Sequence, residues 1–158
     1  MGVLSHHGSL NRINMKTVMI ISLLACSIVS YSQSQPDSLA IMNLIQRDYD
    51  TYSTLDTEAH RKNCTSDYVL IENGERLSLE QEIGYMKSLS KKASRKNQFD
   101  HVVMKVKGNF AYVIYELKSV VTRDGATKNY QWTESVILNR KSTGWKLALI
   151  HSTKVKEW

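Results

Sequence analysis

Apolar residues recur every three or four positions from Leu39 through Met42, Ile45 and Tyr49 to Tyr52, with Gln46, Arg47, Asp50 and Thr51 between them. That spacing predicts an amphipathic helix over residues 36–54, one face of which needs a partner. Pro36, Asp37 and Ser38 open it, where a missing N–H is harmless and negative charge is favoured. Asp56 follows as an N-cap for a short helix over residues 57–63. Then the period changes. Residues 68–71 are a β-prone run closed by Asn73-Gly74, which suits a tight turn, and Arg76 and Leu77 return as the second arm of a small hairpin. Ser78-Leu79-Glu80-Gln81 has the S-x-x-Q form of a capping box, and Leu79, Ile83, Met86 and Leu89 mark the inner face of the helix it opens.

The rest of the chain reads as strands over residues 101–107, 110–122, 128–139 and 145–155. Gly108-Asn109, Asp124-Gly125 and Ser142-Thr143-Gly144 supply the turns between them. Consecutive strands with short breaks make an antiparallel meander. Helices first and a long sheet afterwards predict an α+β domain with the first helix across the concave face of a curved antiparallel sheet.

Ahead of this domain stands a different kind of segment. Lys16 precedes an apolar run over residues 18–29, too short for a stable bilayer span and of the length of a signal-peptide core. Ser30 and Ser32 place small residues at the −3 and −1 positions, so cleavage after Ser32 is expected. This divides the chain into a leader, 1–32, and a domain, 33–158, with Met15 an alternative start. Leu23-Leu24-Ala25-Cys26 also offers a weaker lipobox, which would tether the domain to a membrane at Cys26. Either route leads out of the cytoplasm, to the periplasm or beyond it.

The formal charge of +6 falls when Arg12 and Lys16 leave with the leader. Much of the remaining excess sits in Lys91, Lys92, Arg95 and Lys96, interleaved with Ser and Ala rather than with stacking aromatics. A solvated loop or helix end is expected there, not a nucleic-acid site. The chain has 2 cysteines, and cleavage would leave only Cys64, which has no CxxC partner and is read as a plain buried thiol.

Strand alternation locates candidate chemistry. Trp145, Leu147, Leu149, His151 and Thr153 fall on one face of the last strand, and Trp132, Glu134, Val136 and Leu138 on one face of the strand before it. Pairing Arg140 with Trp145 matches Leu138 to Leu147, Val136 to Leu149 and Glu134 to His151, provided the register runs unbroken. The expected centre is therefore a Glu134–His151 pair, for acid–base work or as a polar pair that fixes register, flanked by Trp132 and Thr153. Tyr49, Tyr52, Tyr68, Tyr112 and Tyr115 could bring hydroxyls to the same cavity, or be amphipathic filler.

The element order, together with Trp132-Thr133-Glu134-Ser135, Gly144-Trp145-Lys146-Leu147 and His151-Ser152-Thr153, resembles the nuclear transport factor 2-like superfamily, in its SnoaL-like and ketosteroid-isomerase-like branch, over residues 36–155. The resemblance implies a cone-shaped α+β barrel and a homodimer. It selects no reaction, because the superfamily includes isomerases, dehydratases and cyclases beside non-catalytic modules.

His60, His101 and His151 are scattered, and no H-E-x-x-H, CxxC, phosphate loop, dinucleotide fingerprint or G-x-S-x-G elbow occurs, so neither metal nor cofactor is expected. Three readings remain: a cavity for a small apolar or amphipathic ligand, with Tyr49, Tyr68, Tyr115, Trp132 and Thr153 lining it; a proton-transfer enzyme of isomerase, dehydratase or cyclase type; and a dimerising interaction domain.

Overall fold

The computed structural model describes residues 36–89 and 92–157. The apolar run, Cys26, the Ser32 boundary and Lys91 lie outside them. Among the described residues no helix is long and apolar enough to cross a membrane.

Helix α1 (Asp37–Thr54) ends at Leu55, which takes the left-handed conformation. Helix α2 (Thr57–Asn63) is capped by Asp56, whose side chain accepts from the Ala59 amide at 2.9 Å. Strands β1 (Cys64–Glu72) and β2 (Glu75–Ser78) form the hairpin around Asn73-Gly74, both at positive φ. Helix α3 (Leu79–Ser88) opens with the expected capping box of Ser78 and Gln81. Four long strands follow: β3 (Ser94–Lys107), β4 (Phe110–Arg123), β5 (Ala126–Lys141) and β6 (Gly144–Glu157).

The strands form one curved, unclosed sheet of 6 in the order β2-β1-β6-β5-β4-β3, with the helices packed on one face. The meander is antiparallel throughout, and the sheet becomes mixed where β1 joins β6 in parallel. That pairing needs a crossover. Helix α3 and the whole meander supply it, as a parallel connection requires.

The core lies between α1, α3 and the inner face, around Ile41, Leu44, Ile45, Leu79, Ile83, Val113, Leu117, Val136, Leu138 and Leu147. Helix α1 is rolled relative to the expected stripe. Ile41, Leu44, Ile45, Asp48 and Thr51 face inward, while Leu39 is 46% exposed. Two buried polar residues account for the difference, because Asp48 and Thr51 find partners inside and so need no water. Trp145 Nε1 donates to Asp37 Oδ1 at 3.2 Å, and Arg140 pairs with the same carboxylate while its guanidinium lies 4.6 Å above the Trp145 ring. These contacts tie the start of α1 to the β5–β6 hairpin, and the Arg140 side chain holds the Asp37 carboxyl below its usual range.

Two sequence expectations change here. Arg95 and Lys96 belong to β3, not to a solvated loop, and Arg95, Asn97 and Phe99 alternate toward the interior. In β6 the register breaks: Leu138 pairs with Leu147, but Ile137 pairs with Leu149, leaving Ala148 as an extra residue. A single added residue reverses which side chains face the core beyond it. Trp145 and Leu147 point inward before the bulge, and Ile150 and Ser152 after it.

Candidate functional site

The bulge decides what meets Glu134. Its neighbour across β5–β6 is Ser152, while His151 pairs with Ser135 and Thr153 with Thr133. His151 and Thr153 are exposed on the outer face. The expected Glu134–His151 pair is therefore not formed, and acid–base chemistry shared between these two groups has no geometric basis.

Glu134 is instead enclosed by hydroxyls. Ser152 Oγ donates to Oε1 at 2.9 Å, Tyr115 Oη donates to Oε2 at 2.7 Å, and Tyr49 Oη donates to the same Oε2. Three elements supply these donors, α1, β4 and β6, so the carboxylate joins helix to sheet at one point. Burial, and next the charge of Glu134, push the Tyr49 and Tyr115 phenols well above the ordinary tyrosine range, so both remain donors.

Above this cage opens a pocket of about 740 Å³. Its wall includes Tyr49, Glu72, Arg95, Tyr130, Trp132 and Glu134, with Leu70, Leu77 and Ile150 adding apolar surface. Arg95 is the central cation. Its guanidinium carbon sits 4.7 Å from the Tyr49 ring centre and 5.4 Å from that of Trp132, a cation–π contact on each side. Nε bonds Asn97 Oδ1 at 3.0 Å, and Nη2 bonds Ser119 Oγ at 3.2 Å. Nη1 has no hydrogen-bond partner among the described residues. Burial lowers the Arg95 pKa, against the opposing charges of Tyr49, Glu134 and Glu72. Glu72 is shifted the other way, upward, by burial first and Glu134 second.

Of the residues expected at the site, the structure brings together Glu134, Tyr49, Tyr115 and Trp132. Tyr68 is buried behind them, edge-on to His60 with ring centres 5.9 Å apart, and its hydroxyl makes no hydrogen bond. Tyr52 lines the pocket and also meets His60, at 5.4 Å. Arg95, Ser152 and Glu72 were missed. Alternation of Arg95, Asn97 and Phe99 was the available sign for Arg95, hidden by neighbouring lysines. Nothing in the sequence marks the Ala148 bulge that turns Ser152 inward.

A second polar group lies beside the pocket, where α1, α2, α3 and β1 meet. His60 is fully buried, with Nδ1 2.9 Å from Asp48 Oδ1 and Nε2 3.9 Å from Cys64 Sγ. Asn63 Nδ2 donates to the same Asp48 oxygen at 3.0 Å. Burial, then Asp48, raises the Cys64 thiol pKa, which fits the inert thiol expected there. Glu82 is buried too, and desolvation followed by Asp48 pushes its carboxyl up to about 8.

No protein-family model matches the sequence, and no curated protein matches it. Solved structures do. The hub homology domain of CaMKII from Chlamydomonas reinhardtii superposes with a TM-score of 0.69 at 19% identity, covering 77% of this chain and 100% of that one. An NTF2-like protein from Cytophaga hutchinsonii gives 0.63 at 13%, over 73% and 95%. A ketosteroid isomerase-like protein from Erwinia carotovora atroseptica gives 0.61 at 17%, over 77% and 98%. Neighbours of both enzyme-like and hub type share this architecture, so the likeness carries the fold and not the chemistry. The chain has the fold of the NTF2-like superfamily.

Proposed function

We propose that the protein binds a small amphipathic organic molecule in the pocket above Glu134, with the polar end oriented by Arg95 and Glu134 and the apolar part against Trp132, Leu70 and Ile150. One observation carries this reading: a half-buried guanidinium, clamped between two aromatic rings, keeps Nη1 without a hydrogen-bond partner among the described residues at the wall of a cavity large enough for a small ligand. A charged donor at the wall of the cavity can orient the polar end of a ligand there. Native mass spectrometry of the purified protein tests the reading. A non-covalent adduct that disappears in a folded Arg95→Leu variant is expected, and an adduct-free protein that is equally inert toward a library of small acids, amines and neutral rings would contradict it.

The outer sheet face supports a second property, a homodimer. Val103 pairs with Ile114 there, and both are exposed, as are Phe110 and Val120. Hub domains among the similar structures favour self-association, and the exposed apolar residues make this the face we propose for it. Sedimentation equilibrium should give twice the chain mass, and Ile114→Lys should halve it.

The apolar run over residues 18–29 adds the proposal that the domain acts outside the cytoplasm. N-terminal sequencing of the exported protein should begin at Gln33, or show a lipidated Cys26.

A further inference from the structure

We propose that the ligand of this cavity is an organic anion, its carboxylate or phosphate group seated over Val121 between the Arg95 and Arg123 guanidiniums, with Lys128 beside them at the mouth. The inference rests on the reading that the cavity takes a small amphipathic molecule, and adds the charge which that molecule carries.

Strand register brings the three cations together. Arg95 on β3 and Lys128 on β5 both pair with Val121 on β4, one from each side, and Arg123 is the next residue of β4 on the same face. All three line the cavity together with Val121. Side chains at opposed or diagonal positions of adjacent strands start about 5–8 Å apart, within reach of one another when they are long. One anion over Val121 is therefore within reach of both guanidiniums. Ala126 and Lys128, which also line the cavity, are exposed beside the Asp124-Gly125 turn, so the cations stand at its open end.

Hydrogen bonding around the cavity is unequally satisfied. Arg123 Nε is buried without a hydrogen bond, and Arg95 Nη1 has no partner among the described residues, although its Nε and Nη2 bond Asn97 and Ser119. Five acids line the same cavity, but none of them accepts from either guanidinium among the described residues. Glu134 accepts from the hydroxyls of Ser152, Tyr115 and Tyr49. Asp48 meets His60 and Asn63. Glu82 stands 3.4 Å from His60 Nε2, and burial followed by Asp48 pushes its carboxyl up to about 8, which favours the neutral form near neutral pH. Burial and then the charge of Glu134 raise Glu72 as well, and Glu75 is exposed on the β1–β2 hairpin. Positively charged donors left without protein acceptors select a ligand that brings negative oxygens, and the guanidinium fork matches those of carboxylate and phosphate.

Four probes with the same six-carbon chain test this: hexanoate, hexyl phosphate, hexylammonium and hexanol. Each is titrated against the ¹⁵N-labelled full chain near neutral pH while the Trp132 indole resonance is followed. Hexanoate or hexyl phosphate should move it saturably and bind about tenfold more tightly than the other two, because a charge-assisted hydrogen bond is worth that much. The tighter of the two anions identifies the head group. Arg123→Gln should weaken that anion about tenfold and leave hexanol unchanged. Lys128→Gln, at an exposed and screened position, should weaken it about threefold, and it decides the matter if Arg123→Gln does not fold. Hexanol or hexylammonium bound as tightly as the anions, or anion affinity untouched in the folded variants, overturns the proposal and leaves the cavity a ligand site. A Trp132 resonance that none of the four moves overturns the proposal and counts against the cavity as a ligand site as well.

Discussion

Ser152 on β6 donates its hydroxyl to Glu134 on β5 at 2.9 Å, across a strand pair whose register has slipped by one residue at Ala148. Without that slip His151 would occupy the place of Ser152, and the carboxylate would face an imidazole. With it, Glu134 accepts only hydroxyl donors and His151 stands in solvent.

The first prediction follows from this difference. Glu134→Ala leaves three hydroxyls without their acceptor and should destabilise the fold by about 2–4 kcal/mol, whereas Glu134→Gln keeps an acceptor for the tyrosines and should cost less. His151→Ala should stay within about half a kcal/mol. Urea unfolding measures all three. A cost of His151→Ala as large as that of Glu134→Ala would restore the unbroken register.

Rolling of α1 gives the second. Ile41 and Ile45 are in the core, so Ile45→Ala should cost roughly 2–5 kcal/mol. Leu39→Ala, at an exposed position, should change stability by less than about half a kcal/mol. Equal effects at both sites would mean the helix presents the face that simple periodicity suggests.

These two cases show how far the sequence reaches. Element order, the Asp56 cap, the Ser78–Gln81 capping box and the meander follow from local periodicity and turn chemistry, which a chain states residue by residue. Trp132 and Glu134 were legible for the same reason, since strand alternation puts both on one face, whereas Tyr49 and Tyr115 were named only as hydroxyls that could reach the cavity. What was lost depended on tertiary contacts. Asp48 and Thr51 look like solvent positions until their buried partners are known. Arg95 looks like part of a basic loop until Tyr49 and Trp132 enclose it. A β-bulge adds one residue to a strand without a required residue type, so Ser152 and His151 exchange roles silently.

Glu72 carries a pH prediction. Its carboxyl pKa is raised in the fold, chiefly by burial and then by Glu134. A raised folded-state value means that the stability it contributes is fully present below the ordinary glutamate pKa and is lost as pH rises through the folded-state value. Stability measured by denaturant between pH 4 and pH 8 should therefore decline less with pH in Glu72→Gln than in the parent. A steeper decline in the variant would mean that Glu72 is held ionised by Arg95 instead.

Arg95→Lys should keep the charge yet lose the flat contact with two rings and the forked bonding to Asn97 and Ser119. A loss of about 1–2 kcal/mol of stability is expected, with a change in Trp132 fluorescence. Full retention of both would remove the guanidinium from the centre of the site.

The most direct test of the pocket as a ligand site uses two indoles of the same molecule. Trp132 lines the pocket, whereas the Trp145 indole N–H is engaged with Asp37 away from it. A library of small carboxylic acids, amines and neutral rings is titrated against ¹⁵N-labelled protein, and the indole and Arg95 Nε resonances are followed. The account predicts compounds that shift Trp132 and Arg95 saturably while Trp145 stays still, and that lose this effect in Arg95→Leu. Shifts that move both indoles alike, or a Trp132 resonance that no compound moves, would contradict it.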